Sequence, residues 1–119
     1  MFYLPVTLAL VARARCGASP VSDRYPFTAV YIMASGPFGV LYVGVTSNLL
    51  RRVYEHREGL IPGFTKTHGC KILVWYMSFE LMTRAIHREH TIKRYRRAWK
   101  MQLIENLNPE WRDLYGELW

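Results

Sequence analysis

Between Ala29 and His56 the chain reads AVYIMASGPFGVLYVGVTSNLLRRVYEH, and few folds accommodate that order of residues. AVYIM and VLYVGV are short runs of β-branched, aromatic and aliphatic residues, the composition of strands. Between them, Ser35-Gly36-Pro37-Phe38-Gly39 is turn chemistry, because Gly tolerates positive φ and Pro fixes its own. Thr46, Ser47 and Asn48 offer helix N-caps just before an apolar helical stripe of Leu49, Leu50, Val53 and Tyr54. Arg52 and His56 lie one turn apart on a neighbouring face of that helix. The reading is a hairpin feeding directly into a helix. It would gather Tyr31, Tyr42, Arg52 and His56 around one edge of a small sheet.

The helix should stop near Gly59, with Pro62 shortly beyond. Ile61 to Gly69, IPGFTKTHG, then reads as a polar, basic loop. Lys66 and the hydroxyls of Thr65 and Thr67 could touch a phosphate backbone there, or simply meet solvent. Lys71 to Phe79, KILVWYMSF, is a third strand. Its near-continuous apolar run predicts a central strand covered on both faces, with helices on either side of a three-stranded sheet. Glu80 to Lys100 reads as mostly helix, its buried stripe made of Leu81, Met82, Ala85, Ile86 and Ile92. Glu89 falls beside that stripe, and periodicity alone makes it an i,i+4 partner of Lys93. KRYRRAWK is the densest basic patch, but Lys93, Arg94, Arg96, Arg97 and Lys100 cannot share one helical face. Tyr95 and Trp99, four apart, read as helix-packing residues. Trp99, Leu103, Ile104 and Leu107 continue a stripe that Pro109 ends. Trp111 and Leu114 then cover one end of the core.

At 119 residues the chain has the size of one domain. Residues 1–26 stand apart: an apolar run from Phe2 to Ala12 is followed by Arg13 and Arg15, the reverse of a secretory signal. They are expected to form a poorly ordered extension before a folded domain at 27–119. The net charge of +7 favours a polyanionic partner, nucleic acid before membrane. Two cysteines, Cys16 and Cys70, make no disulfide framework, which places the chain by default in the reducing cytoplasm. No apolar run is long enough to span a membrane. Walker, GxSxG and HExxH motifs are absent, and so is any Cys/His set with zinc spacing.

Val30-Tyr31, then Tyr42-Val43-Gly44, then Arg52 ten residues past the second tyrosine, resembles the GIY-YIG nuclease family. The first Gly of the name is Ala29 here, and each Ile is Val. The resemblance runs from about Phe27 to Tyr115, and it is strongest to the small stand-alone bacterial members. It implies an α+β fold, a small three-stranded antiparallel sheet flanked by helices in the order β-β-α-β-α-α.

The resemblance also implies metal-dependent hydrolysis of phosphodiester bonds in DNA. One hard cation, Mg²⁺ or Mn²⁺, can be held by a single carboxylate while phosphate oxygens and water complete its shell. The family carries a Glu on the helix after the third strand as that ligand, and Glu89 in REHTIK matches it. Arg52 would then pair with the scissile phosphate through its planar fork of donors. The family favours Tyr31 as the base and Tyr42 as its positioning partner, and a phenol near Arg⁺ and a cation ionises more easily. His56 matches a position where some members carry a His, and it is a second candidate base or relay. Members with a Lys just after the second tyrosine have no counterpart here, where Val45 and Thr46 stand, so the base assignment stays open. A late Asn near the active site matches Asn108, with Asn106 in reserve; a helix C-cap is the rival role for Asn108. Lys66, Lys93, Arg94, Arg96, Arg97 and Lys100 are the candidate nucleic-acid contacts. With no recognition helix or finger, strict sequence specificity is not expected. Flaps, junctions, nicked or damaged DNA are all open as substrates, RNA is a further alternative, and a role in repair or recombination would follow from the first group. A module that binds nucleic acid on the same fold without cutting is the alternative reading.

Overall fold

A computed structural model of the chain describes residues 28–118. The expected N-terminal extension lies outside them.

The sheet is built around β1 (Ala29–Ala34), whose six residues are all buried. β1 pairs antiparallel with β2 (Leu41–Thr46) on one side and with β3 (Ile72–Ser78) on the other, giving the order β2-β1-β3. The expected three-stranded antiparallel sheet is therefore present, but its central strand is β1 and not β3. KILVWYMSF reads as central because both of its faces are covered. Leu73 packs with Tyr31, Met33 and Leu114 on one face, and Val74 packs with Val30, Ile32 and Ile104 on the other. Coverage of the faces says nothing about hydrogen bonding at the edge, and β3 loses its burial over Tyr76, Met77 and Ser78.

The β1–β3 register shifts between Ile32, opposite Trp75, and Met33, opposite Leu73. Val74 is the residue left over, and it packs in the same cluster as its neighbour Trp75. This is the signature of a β-bulge. The Asn108 side chain donates to the Val74 carbonyl at 3.2 Å, supplying a partner where the ladder is irregular.

The turn between β1 and β2 closes through Ser35 N–H to Val40 O at 3.0 Å and Val40 N–H to Ser35 Oγ at 2.9 Å. Helix α1 (Leu49–Arg57) starts at Asn48, whose side chain accepts from the Arg51 N–H, and ends before Gly59 at φ 69°. Its inward face is Leu49, Leu50, Val53 and His56. Tyr54, expected in that stripe, is 48% exposed, because a period of 3.6 residues carries the face from Val53 to His56.

Ile61 to Gly69 is not all loop. A short helix α2 (Phe64–His68) forms there, bounded by Gly63 at φ 120° and Gly69 at φ 65°, both in the region that favours glycine. Cys70 N–H bonds back to the Thr65 carbonyl at 2.9 Å.

The long helix expected from Glu80 to Lys100 is two helices, α3 (Met82–Lys93) and α4 (Arg97–Leu107). No Gly or Pro marks the break. α3 packs on β1 and β2 while α4 packs on β3, and the chain turns through Arg94–Arg96 to cover both. Arg97 holds that corner to the hairpin, donating to the carbonyls of Phe38 at 2.9 Å and Gly39 at 2.7 Å. Ala85, Glu89 and Ile92 are the buried positions of α3, and Leu81 and Ile86 are exposed. Ile104 is buried on α4, whereas Trp99 is 53% exposed and stacks edge-on with Tyr95. A 3₁₀ helix (Leu114–Leu118) closes the α1 side of the sheet, with Leu114 in the core and Asp113 ion-paired to Arg57. Trp111 is buried on the opposite side.

The contact between β1 and β2 explains one residue of the motif. Gly44 sits directly opposite Tyr31. A Cβ at Gly44 would lie 2.5 Å from the Tyr31 hydroxyl and 2.6 Å from Cζ. Tyr31 is buried and its hydroxyl is bonded to His56, so the ring has little room to yield. Gly44→Ala should therefore cost about 1–3 kcal/mol in urea unfolding, the range for overpacking a filled core. In a Tyr31→Ala background the same change should cost almost nothing; an equal cost in both backgrounds would contradict the clash.

Candidate active site

Tyr31 projects from β1 toward α1. Its hydroxyl lies 2.9 Å from His56 Nε2, and the other ring nitrogen of His56 lies 2.9 Å from Thr65 Oγ1. Tyr42, from β2, flanks both, with ring centroids 6.3 Å from Tyr31 and 5.5 Å from His56. Phe64 stacks on the outer side of Tyr42 at 6.0 Å and meets His68 at 4.3 Å. Aromatic rings thus run from the buried Tyr31 to the exposed Phe64 and His68 of α2.

Charge gathers at the same point. The Tyr31 phenol holds its proton well above the usual tyrosine value. Burial is the main cause, the Tyr42, Glu55 and Glu89 side chains add to it, and Arg52 opposes it. Four groups from β2, α1 and α3 therefore act electrostatically on one hydroxyl. The sequence reading expected a phenol near both Arg52 and a bound cation to ionise more easily. In the free protein, burial outweighs the guanidinium and the phenol stays protonated.

His56 is only 3% exposed and is held neutral, its pKa lowered to about 4 by burial first and by the Arg52 charge second, with Glu55 opposing. Arg52 is half-exposed at the rim, where its Nε lies 3.8 Å from Glu55.

Glu89, on α3, is 6% exposed. Its carboxylate meets Lys93 Nζ at 2.6 Å and His90 Nε2 at 3.5 Å. The i,i+4 pair foreseen from periodicity is formed, and burial of the carboxylate goes beyond it. A carboxylate is the right donor for a hard cation, and the Glu89 charge is one of those that act on the Tyr31 phenol. Among the described residues no three of His, Cys, Asp and Glu converge as a ready-made cage.

The other expected residues divide. Asn108 is 1% exposed and C-caps α4. Its amide donates to Val74 O and Arg112 O, and its carbonyl accepts from Arg112 N–H. All of that holds the tail to β3, so the C-cap role foreseen as its rival is the one the contacts show. Asn106 is exposed and bonded to Gln102. Lys93 and Arg97 are engaged with Glu89 and the hairpin carbonyls. Arg96 lies 5.0 Å over the Trp99 ring, and Lys66 and Arg94 are exposed. Thr65 is buried against His56, not open to a phosphate backbone. Sequence reasoning missed its contact because a loop assignment gives no facing direction. It also missed Phe64 against Tyr42 for the same reason, and it missed Asp113, which accepts from Leu73 N–H of β3 at 3.2 Å.

A three-stranded sheet whose first two strands bring phenols to a helix bearing Arg and His defines a small α+β domain with a polar site on one face. The family model of the GIY-YIG catalytic domain matches residues 27–102, and the chain belongs to that nuclease family, whose members act on nucleic acid and are generally dependent on a divalent metal. It is similar to a UPF0213 protein of Haloquadratum walsbyi, 40% identical over 65 residues that cover 55% of this chain and 73% of that one. A UPF0213 protein of Staphylococcus haemolyticus is 35% identical over 65 residues, covering 55% and 79%. The solution NMR structure of a UPF0213 protein from Bacillus halodurans is 26% identical, covers 73% of this chain and 92% of that one, and has a TM-score of 0.47.

The His56 shift has a sign that can be tested. Between about pH 6.5 and about pH 4 the unfolded chain binds a proton at this residue that the folded chain does not. Its contribution to stability is fully present above that window and is lost as pH falls through it. From about pH 7 to about pH 4.5, wild type should lose about 2 kcal/mol more than His56→Gln in urea unfolding. Parallel losses would show that His56 is not held neutral.

Proposed function

We propose that this protein is a cytoplasmic, divalent-metal-dependent endonuclease that hydrolyses phosphodiester bonds in DNA, with Tyr31 and His56 acting as one proton-accepting unit. The observation that carries the reading is the 2.9 Å bond between the Tyr31 hydroxyl and His56 Nε2, formed in a buried site on which the Arg52 and Glu89 charges act.

A protonated phenol cannot by itself take a proton from water. It can do so as its own proton moves to a neighbour, and neutral His56 is the neighbour in place. His56 is a weak base in the free protein partly because of Arg52. A phosphate paired with Arg52 offsets that positive charge, so substrate binding strengthens the base it needs. Arg52 would grip the phosphate and stabilise the charge that develops on it. Tyr42 packs against both members of the pair and orients the phenol. Glu89 would hold Mg²⁺ or Mn²⁺, which supplies Lewis-acid neutralisation of the phosphate and its leaving oxygen. Asn108 positions β3 and the tail. Lys66, Arg94, Arg96 and Lys100 would contact the backbone on either side. Such contacts fix register and carry no sequence information, consistent with selection of DNA by shape during repair or recombination.

A second reading, a nucleic-acid-binding module without cutting activity, is favoured by one observation. Glu89 and Arg52 already have internal partners in Lys93 and Glu55. Nicking of plasmid and branched oligonucleotides with Mg²⁺ separates the two. Wild type should cut, and Tyr31→Phe, Arg52→Ala and Glu89→Ala should each be slower by about 100-fold or more. Salt-sensitive binding without cutting would establish the module, and variants as fast as wild type would remove the site.

A further inference from the structure

His56 is neutral and buried, so its imidazole has one N–H and one lone pair. Both ring nitrogens are engaged: Nε2 with the Tyr31 hydroxyl and Nδ1 with Thr65 Oγ1, each at 2.9 Å. Either hydroxyl can donate or accept, so two arrangements satisfy the geometry. In one, Tyr31 donates to Nε2 and the Nδ1–H donates to Thr65. In the other, both directions are reversed, and Nε2–H points at the phenol oxygen. Only the first lets the phenol pass its proton to His56.

The chemistry of the partners decides between them. A phenol is a far stronger acid than an aliphatic alcohol and the better donor. The threonine oxygen is correspondingly the better acceptor. Pairing the better donor with the lone pair and the better acceptor with the N–H gives the first arrangement. The nitrogen that carries the proton is set by the bond the other nitrogen makes.

The fold places Thr65 for this. It is 4% exposed on α2, a five-residue helix set between two positive-φ glycines. The preceding residue, Phe64, stacks on Tyr42, so this one turn of helix touches both the tyrosine and the histidine sides of the site. Lys66 and Thr67, its next residues, are exposed, which leaves Thr65 as the inward-facing hydroxyl.

We propose that Thr65 is the positioning residue of the site: by accepting the His56 Nδ1–H it holds the imidazole in the tautomer whose Nε2 lone pair receives the Tyr31 hydroxyl. Its catalytic consequence rests on the proton-accepting role proposed for Tyr31 and His56; the tautomer itself does not. Thr65→Val keeps the shape and removes the acceptor, leaving a buried N–H without a partner. The imidazole then avoids that by moving its proton to Nε2, which points an N–H at the phenol. Thr65→Ser restores the acceptor.

Two-bond ¹H–¹⁵N correlation spectra of the histidine rings in the full chain read this directly. In wild type and Thr65→Ser, His56 should carry its proton on Nδ1. In Thr65→Val the nitrogen pattern should invert or mix. In the nicking assay, Thr65→Val should lower kcat by about 100-fold, the lower range for a lost general base, with KM little changed, and Thr65→Ser should recover most of it. A wild-type His56 protonated on Nε2 overturns the inference, and so does an unchanged tautomer in folded Thr65→Val. Should Thr65→Val fail to fold, the wild-type and Thr65→Ser spectra still decide it. Absence of nuclease activity in every protein, with the expected tautomers observed, removes the proposed function and leaves the positioning role standing.

Discussion

Tyr31 is the residue on which both the packing and the site depend. Its ring fills the space that Gly44 leaves on the facing strand, and its hydroxyl reaches across to His56 on α1. The first contact fixes how β1 and β2 meet under that face. The second fixes where α1 sits on the sheet, because a buried hydroxyl and a buried imidazole must satisfy each other. Leu49 and Val53 add apolar contact to the same seam but carry no direction. The hydrogen bond sets the orientation of the helix, and with it the position of Arg52 one turn before His56.

The charges around this bond are balanced in the free protein. Glu55 lies near Arg52, and Lys93 lies against Glu89. The part-exposed Arg52–Glu55 pair contributes little to stability, on the order of 0–1 kcal/mol, so exchanging Glu55 for a phosphate costs little. Glu89 is the more demanding case, since a buried carboxylate without a partner is strongly unfavourable. Lys93 satisfies it in the free state. The site is thus pre-formed in its buried neutral part and exchangeable at Arg52, while the buried Glu89 gives up Lys93 only for another cation.

The hairpin, α1 and the end of that helix were legible from residue types, because turn glycines, β-branched runs and a capping Asn act locally. Other features were not. The central strand was misassigned, since Lys71–Phe79 is apolar for its covered faces and hydrogen-bond neighbours leave no trace in hydrophobicity. The break between α3 and α4 has no Gly or Pro. It arises because one helix cannot cover β1, β2 and β3, a constraint visible only once the sheet exists. Tyr54 and His56 exchanged expected roles, since a histidine with two buried partners behaves as a core residue. Within the site, the hairpin-and-helix pattern brought Tyr31, Tyr42 and Arg52 to one edge, while their roles and the choice of Glu89 came from the family resemblance. The hydrogen bonds that commit Asn108 to β3 follow from the bulge at Val74, which no single-strand pattern announces.

The account stands on one phosphodiester being held where the Tyr31–His56 bond, Arg52 and Glu89 meet. A crystal structure of Glu89→Gln with a short DNA duplex bearing a single-stranded arm tests that most directly. The account predicts a phosphate bonded to the Arg52 guanidinium with the Tyr31 hydroxyl facing it. DNA lying along Arg94, Arg96 and Lys100, with every phosphate remote from Tyr31, would contradict it.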